Sequence, residues 1–536
     1  TPAGPFTGTD EDAAVRAWLG GADVDWRGLA GSHGRRITLP TYPLRRSRFW
    51  ALDRLDPVAA VPAAAPARQS TSDATSDATS ADELEASLLA VWRELFGVDT
   101  VGPDDEFGAL GGTSLLSVRM VLEIQRRHDV LVNVHRAGGS KATVRRVADL
   151  VRRGDSGEVA DGDGALADAD VELPLGPVAP AAPDRADVLL TGATGFIGAF
   201  LLHELLRVPG RRVHCLVRAD DESHAWQRIR TAARTYALPE PDRSRVVSVR
   251  ALAEVDAQAV GHVLHCAARV VFTEPYRVLR EDNVLPLVEL VRWMRAAGIR
   301  DIGLVSSSAA TGESLGERYR ITESRQQPLD PLQGGYGVSK WVGERILERA
   351  ERDGMRVRVF RPGYVLGDST TGACNPRDFL WRLLASGLAV GAHPADDRAL
   401  PMAPVDVVAA GIAELTVQPG SAGRAYHLAA RTAVSPRRLF QLLGLTEAVP
   451  VERWLRLVAE RALDTRHEVL STMALYEVDG HWLGPHDLEA NAWQPWLDAR
   501  GLDPNPTGEL LDRCLDHLAA REPAFATLLG RPVESR

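Results

Sequence analysis

The sequence predicts a multidomain chain: a small all-α bundle, followed by a doubly wound α/β domain with a parallel sheet and a smaller, mostly helical C-terminal lobe. Three observations carry this. Apolar residues at helical spacing fill the region between two low-complexity stretches. From residue 187 onward, short apolar runs alternate with helical ones, the signature of parallel strands joined by crossover helices. Beyond about residue 430 the strand-like runs give way to helical spacing, with Trp454, Trp482, Trp493 and Trp496.

Length and composition bound the rest. At 536 residues the chain exceeds a single core, and two to four domains are expected. It is 45% hydrophobic and 25% charged, ordinary for globular protein. A net charge of -10 speaks against a nucleic-acid partner, which would need clustered Lys and Arg. No run approaches the roughly 18 apolar residues of a membrane span, and the opening Thr1-Pro2-Ala3-Gly4-Pro5 does not read as a signal peptide. A start on Thr suggests a piece of something longer. Cys215, Cys266, Cys374 and Cys514 lie far apart, without metal-ligand spacing. Cys215 and Cys266 fall in apolar strand-like runs, where a thiol behaves as a small hydrophobe. The expectation is a reducing, cytoplasmic setting with no metal site and no membrane partner.

Two stretches divide the chain. Residues 57–82, with the duplication Thr-Ser-Asp-Ala-Thr-Ser-Asp-Ala, and residues 154–184, rich in Gly, Asp, Ala and Pro, bury too little apolar surface to offset ordering entropy and read as flexible linkers. Around them stand a short piece at 1–56, a domain at 83–153, a larger one at 185–430 and the lobe at 431–536. In the small domain Leu84, Leu88, Leu89, Trp92, Leu95 and Phe96 share one helix face. A loop with Asp104, Asp105 and Phe107 leads to a second helix through Leu115, Leu116, Val118, Val121 and Ile124, and a last helix runs from Val144 to Val151. In the larger domain the expected strands are Asp187–Thr191, Val213–Val217, Val263–Cys266 and Ile302–Ser306, with helices at Ala199–Arg207 and Val338–Arg349.

Three motifs carry chemistry. Ser114 follows Gly111-Gly112-Thr113 at the foot of the second helix, where N–H groups and the helix dipole suit a phosphodiester; the plainer alternative is a helix cap by Ser114 or Thr113. Gly192-x-x-Gly195-x-x-Gly198 lies between a strand and a helix, the context a dinucleotide turn requires, so Gly192, Thr194, Gly195, Phe196, Ile197 and Gly198 are candidate cofactor contacts. The second strand closes with Arg218 where an NAD enzyme usually has an acid. A guanidinium suits a 2′-phosphate, which points to NADPH, with Arg228 as a second phosphate ligand; a solvated strand-end charge is the alternative, and Asp220 two residues on leaves it open. Finally, Tyr336 and Lys340 share a helix face, where an ammonium would lower the phenol pKa from about 10. Ser306-Ser307-Ser308 at the end of the preceding strand adds a hydroxyl.

Resemblance extends these readings. Leu39-Pro-Thr-Tyr-Pro-Leu-Arg-Arg-Ser-Arg-Phe-Trp50, with Asp25-Trp26 upstream, resembles the linker that follows the acyltransferase in modular polyketide synthases. Residues 83–153, with Gly111-Gly112-Thr113-Ser114-Leu115, resemble an acyl carrier protein. That resemblance implies 4′-phosphopantetheine attached to Ser114 by a phosphopantetheinyl transferase. Residues 187–536 resemble the extended short-chain dehydrogenase/reductases, and more closely the thioester reductase domains that end polyketide and nonribosomal peptide synthases. The strings Cys215-Leu-Val-Arg-Ala, His265-Cys-Ala-Ala268, Gly335-Tyr-Gly-Val-Ser-Lys-Trp341 and Arg361-Pro-Gly-Tyr-Val-Leu-Gly367 carry this match. The family's usual Gly-Asp-Leu is missing after Arg245–Arg250.

The resemblance implies a Rossmann-type fold and NADPH-dependent reductive release of a carrier-bound polyketide acyl thioester as aldehyde, or onward as alcohol. It implies catalytic Ser308, Tyr336 and Lys340, with Ser307 the alternative hydroxyl, Lys340 on the nicotinamide ribose, and Ala267 among the cofactor contacts. The implied partners are upstream acyltransferase and ketosynthase domains and the acyl thioester. Two other functions share these motifs: an extended dehydrogenase or epimerase acting on a free substrate, and a redox-inactive cyclising or scaffolding domain.

Overall fold

The computed structural model describes residues 74–112, 114–128, 130, 141–153, 163–182, 185–271, 274–311, 320–325, 329, 334–397, 400–465, 467, 469, 470, 473 and 487–530. The 1–56 piece, most of the first expected linker and Trp482 lie outside the described residues.

Three helices form the small domain: α1 (Ala74–Phe96), α2 (Ser114–His128) and α3 (Val144–Arg153). Helix α1 starts inside the stretch expected as linker through residue 82. Leu88, Val91, Trp92, Phe107, Met120, Ile124, Val144 and Val147 make its core. The rings of Trp92, Phe96 and Phe107 meet edge-on with centroids 5.1–6.0 Å apart. This cluster explains the glycine before the serine. A Cβ on Gly112 would stand 2.1 Å from the Phe107 ring, so no side chain fits there. Gly111 has φ +90°, a conformation glycine adopts without strain. Helix α2 thus begins at Ser114 with the two glycines behind it.

Next comes α4 (Asp163–Val171), inside the stretch expected to be a flexible linker. Here the structure corrects the expectation: residues 163–182 are built onto the larger domain. Ala167 and Leu175 enter its core. The buried carboxylate of Asp170 accepts from Tyr276 Oη and Arg280, and that of Asp163 accepts the backbone N–H of Tyr276. Farther along, the N–H groups of Ala179 and Ala182 donate to the carbonyls of Arg295 and Gly298. The low hydrophobicity that suggested disorder is offset by buried ion pairs, which composition does not reveal.

The large domain is a seven-stranded, all-parallel sheet: β1 (Asp187–Thr191), β2 (Val213–Leu216), β3 (Val246–Val249), β4 (Val260–His265), β5 (Asp301–Val305), β6 (Arg356–Pro362) and β7 (Arg424–Leu428). Their spatial order is β3-β2-β1-β4-β5-β6-β7. Both faces are covered, so β1 is apolar on both sides. Val188 and Leu190 pack with α5 (Phe196–Leu206), α6 (Glu222–Thr235) and α11 (Val405–Val417). Leu189 faces the opposite core, formed by α7 (Tyr276–Asn283), α8 (Leu285–Ala296) and α9 (Gly335–Arg352). The chain order reverses at β1, so the connections that follow β1 and β4 run to opposite faces of the sheet and leave between them the crevice in which such sheets bind ligands.

The lobe is mostly helical, as expected. Helix α10 (Phe379–Val390) packs with α12 (Pro436–Leu442), α13 (Val451–Thr465), α15 (Gly508–Arg521) and α16 (Pro523–Leu529) around Trp381, Phe440, Trp454 and Leu515. Helix α2 of the small domain lies against α13. Trp493 and Trp496, beside α14 (Gln494–Asp498), do not join this core. They pack on the sheet domain against α11, where a Cβ on Gly411 would meet Trp493 Nε1 at 2.8 Å. Cys374 and Cys514, distant in sequence, meet inside the lobe, with the Cys374 thiol 3.8 Å from the Cys514 carbonyl. No described helix is long and apolar enough to cross a membrane.

Candidate active site

The glycine turn sits at the switch point. Gly192 has φ +78°, and a Cβ there would lie 2.7 Å from the Ala267 nitrogen. A Cβ on Gly198 would lie 1.9 Å from the Gly192 carbonyl oxygen. The absent side chains let the turn fold against the end of β4 and the helix against the turn. Helix α5 starts at Phe196 after Gly195, so the N–H groups of Phe196, Ile197 and Gly198 have no carbonyl of their own helix to bind. Free N–H groups at a helix start suit an anion, and with the close-packed glycines they make a cradle that fits a pyrophosphate. Thr194 is half-buried in the turn, and the Phe196 ring packs against Phe200 and Tyr236 at 5.8 and 5.1 Å.

A polar clamp joins β1 to β4. Thr191 Oγ1 accepts the Ala267 N–H at 3.1 Å and contacts His265 Nδ1 at 2.8 Å. Burial pushes the His265 pKa down to about 3, with the nearby Lys340 charge acting the same way, so the imidazole beside the threonine is neutral. Ala267 contributes through its backbone.

Beyond β2 the arginines gather. Arg218 is 90% exposed and pairs loosely with Asp282 at 3.6 Å. Arg228 donates to the Arg218 carbonyl, and Arg250, a residue not singled out from the sequence, donates to the Asp220 carbonyl at 2.9 Å. Asp220, the acid that argued for NAD, turns its carboxylate to His224 at 3.2 Å.

On the other side of β4 stand the candidate catalytic groups. Tyr336 opens helix α9 and is buried, 5% exposed. Its hydroxyl is hydrogen-bonded by Ser307. Ser307 Oγ also accepts the Ala309 N–H at 3.2 Å, which leaves its own proton for the phenol. Of the two hydroxyls the sequence offered, Ser307 is the one at the phenol; Ser308 opens the 3₁₀ turn Ser308–Thr311, and its carbonyl accepts from Thr311. Strand β5 ends at Val305, and the turn after it presents the middle serine of the triplet.

Lys340 lies one turn along α9. Its Nζ donates to the Val305 carbonyl at 2.9 Å and stands 5.8 Å from the centre of the Tyr336 ring. Burial lowers its pKa to about 8, opposed by Cys266 and Glu344. The expected lowering of the tyrosine pKa by this ammonium is not what the geometry produces. Burial pushes the phenol above its ordinary range, and the Ser307 hydrogen bond acts against it. Two groups border the pair electrostatically, the Cys266 thiol, read from the sequence only as a small hydrophobe, and the Asp378 carboxylate, which the sequence reading did not single out; burial raises Asp378 to about 6.

Ser114 is the first residue of α2. No group of His, Cys, Asp and Glu capable of holding a metal occurs among the described residues.

Comparison with known proteins agrees with this layout. Residues 86–151 match the phosphopantetheine attachment site family, and residues 190–412 match the NAD-binding family described as male sterility protein. The chain is 30% identical over 503 residues to the nonribosomal peptide synthetase FrzA of a Cladobotryum species, covering 82% of this chain and 48% of that protein. It therefore spans about half the length of that relative. Among solved structures, the terminal R domain of the myxalamid PKS-NRPS pathway is 29% identical, with a TM-score of 0.60, covering 67% of this chain and 97% of that one. An archaeal thiolation-reductase di-domain from a non-ribosomal peptide synthetase shares the fold at 20% identity and TM-score 0.65, covering 83% and 98%. The chain thus joins a phosphopantetheine carrier domain to a parallel-sheet domain of the NAD-binding family whose fold matches the R-domain structures.

Proposed function

We propose that this chain reductively releases an acyl group held as a thioester on its own carrier serine, using NADPH and yielding an aldehyde, or the alcohol after a second reduction. One observation carries the reading: a carrier domain shares its chain with a buried Ser307–Tyr336 pair and Lys340, beside a glycine turn shaped for pyrophosphate. The N–H groups at the start of α5 would hold the pyrophosphate, Arg218 the 2′-phosphate with Arg228 and Arg250 close by, and Lys340 the nicotinamide ribose. Bound NADPH supplies a hydride, and the pantetheine arm on Ser114 presents the thioester that receives it.

The chain's own groups do the rest. Tyr336, with its pKa raised by burial, keeps its proton at neutral pH and donates to the thioester carbonyl oxygen as negative charge develops there. Ser307, donating its own proton to the phenol oxygen, aims the Tyr336 proton at that carbonyl. The Lys340 ammonium favours the anionic oxygen through the buried surroundings. In balance, thioester, hydride and one proton become aldehyde and thiol, as the carbon–sulfur bond breaks.

Delivery from the same chain fits the connector. Between Arg153 and Asp163 the backbone reaches at most about 35 Å, since each residue spans roughly 3.5 Å. A short tether keeps the local substrate concentration high. We take the carrier as residues 83–153 and start the reductase near Asp163 instead of residue 185. A polyketide acyl group, with acyltransferase and ketosynthase domains upstream, is the choice favoured by the 39–50 string. A phosphopantetheinyl transferase would load the serine, in the cytoplasm.

The test is to load Ser114 with an acyl-phosphopantetheine, follow NADPH absorbance and identify the product by mass. Aldehyde or alcohol that disappears in Tyr336→Phe supports the reading. Full loading without NADPH consumption refutes it.

A further inference from the structure

A buried polar chain runs from the lobe side of the sheet to the candidate catalytic serine. Glu344 lies one turn beyond Lys340 on α9, and its side chain is 2% exposed. Its Oε1 accepts from Ser306 Oγ at 2.6 Å and from Arg361 Nε at 3.0 Å, while Oε2 accepts from Arg361 Nη2 at 2.6 Å. Arg361, wholly buried at the end of β6, uses Nη1 to donate to the Ser324 carbonyl at 3.0 Å and to His427 Nε2 at 3.3 Å. His427 therefore carries its proton on Nδ1, which donates to the Glu489 carbonyl. The His427 N–H and the Ala492 N–H meet the two oxygens of Glu323 at 3.1 and 2.8 Å. Trp493 follows immediately. At the other end, the Ser306 N–H donates to the Phe360 carbonyl at 2.7 Å, and the next residue is Ser307.

Stability is a poor reason for this arrangement. Burying an ion pair costs as much desolvation as it gains in attraction, and well-packed apolar side chains serve at least as well. What the pair does supply is direction. A carboxylate held by a two-pronged guanidinium and a serine hydroxyl has little freedom to turn. Glu344 is rigidly joined through α9 to Tyr336, and through Ser306 to Ser307. The pair therefore spans the two segments whose separation sets the Ser307–Tyr336 hydrogen bond.

Resting on the reductive reading above, we propose that Glu344 and Arg361 are positioning residues that hold Ser307 against Tyr336, and that His427 ties this setting to the segment leading into Trp493. Neither Glu344 nor Arg361 touches the reacting atoms; they act through Ser306 and helix α9.

Three variants test it on the full chain. Ser306→Ala cuts the link at the active-site end and leaves the ion pair whole. Glu344→Gln keeps the shape and removes the charge. His427→Gln retains both an acceptor and a donor, whereas His427→Leu retains neither. Misplacing a catalytic group by about 1 Å costs up to roughly a hundredfold in rate. We expect kcat for acyl-thioester reduction to fall roughly tenfold or more in Ser306→Ala and Glu344→Gln, with KM and NADPH affinity within about threefold of wild type. His427→Gln should recover most of what His427→Leu loses. If Ser306→Ala or a folded Glu344→Gln keeps wild-type kcat, the proposal falls and the pair is structural only. If the wild-type chain reduces no thioester, the functional reading fails by itself. The positioning claim is then judged by crystal structures of wild type and Ser306→Ala: loss of the Ser307–Tyr336 hydrogen bond upholds it, and an unchanged bond overturns it.

Discussion

The Tyr276 hydroxyl donates to the Asp170 carboxylate at 2.6 Å across 106 residues of sequence, and Arg280 grips both oxygens of the same carboxylate. The connector after the carrier is thereby part of the reductase. Asp170→Asn should lower stability by about 2 kcal/mol, the usual loss when a charged buried hydrogen bond is broken. A reductase piece starting at residue 185 also loses the burial of Leu175 and should be less stable still, by about 2 kcal/mol for that side chain. Denaturant titration of pieces starting at 163 and at 185 measures the difference.

The serine triplet separates cleanly by mutation. Ser307→Ala removes the donor that orients the phenol and should reduce kcat by up to roughly a hundredfold, the usual loss when a catalytic group is misplaced. Ser308→Ala should stay close to wild type. Steady-state rates with an acyl-pantetheine thioester and NADPH decide it.

Lys340 sets a pH limb. Its pKa of about 8 means it is protonated below that pH and loses its charge above it. kcat/KM for NADPH, which reports groups of the unliganded enzyme, should be level below about pH 8 and fall above it. In Lys340→Met the value should be low throughout, without that limb.

On the proposed reading, the arginines after β2 set the cofactor choice. Arg218→Gln should weaken NADPH binding by roughly tenfold to a hundredfold and leave NADH unchanged, because only the 2′-phosphate pairs with the guanidinium. Calorimetric titration with both nucleotides is the check. Equal losses for the two would place Arg218 away from the 2′-phosphate.

Gly112→Ala should unseat the carrier. The added methyl would sit 2.1 Å from the Phe107 ring, so either the aromatic cluster or the start of α2 must shift. The expected result is a lower unfolding temperature and slower loading of Ser114, measured by mass.

Much of this molecule was legible from local pattern. Asp187–Thr191 reads as a strand because the residues after the first form an apolar run and both faces are covered. The glycine turn announces itself because only glycine tolerates the contacts at Gly192 and Gly198. Tyr336 and Lys340 share a face because they stand four apart on one helix. Gly111 and Gly112 mark the serine by their position alone, two and three residues ahead of it.

The remainder depends on partners far away along the chain. The acidic, alanine-rich segment 163–171 looks disordered until Tyr276 and Arg280 receive its carboxylates. Which serine of three meets the phenol depends on where β5 stops and how the following turn is wound. Whether a lysine lowers a tyrosine pKa depends on the burial of both and on the Val305 carbonyl that claims the ammonium. Trp493 and Trp496 read as lobe residues from their neighbours in sequence, yet they fill a gap over Gly411 on the sheet domain. By itself, the sequence determined the two fold classes, the helix that starts at Ser114, the glycine turn and the Tyr–Lys helix, because each is written in residues within a few turns of one another. Only the tertiary structure decided which serine meets the phenol, the docked connector and the Glu344–Arg361 pair, because buried charges and hydroxyls take their partners from whatever the fold brings against them.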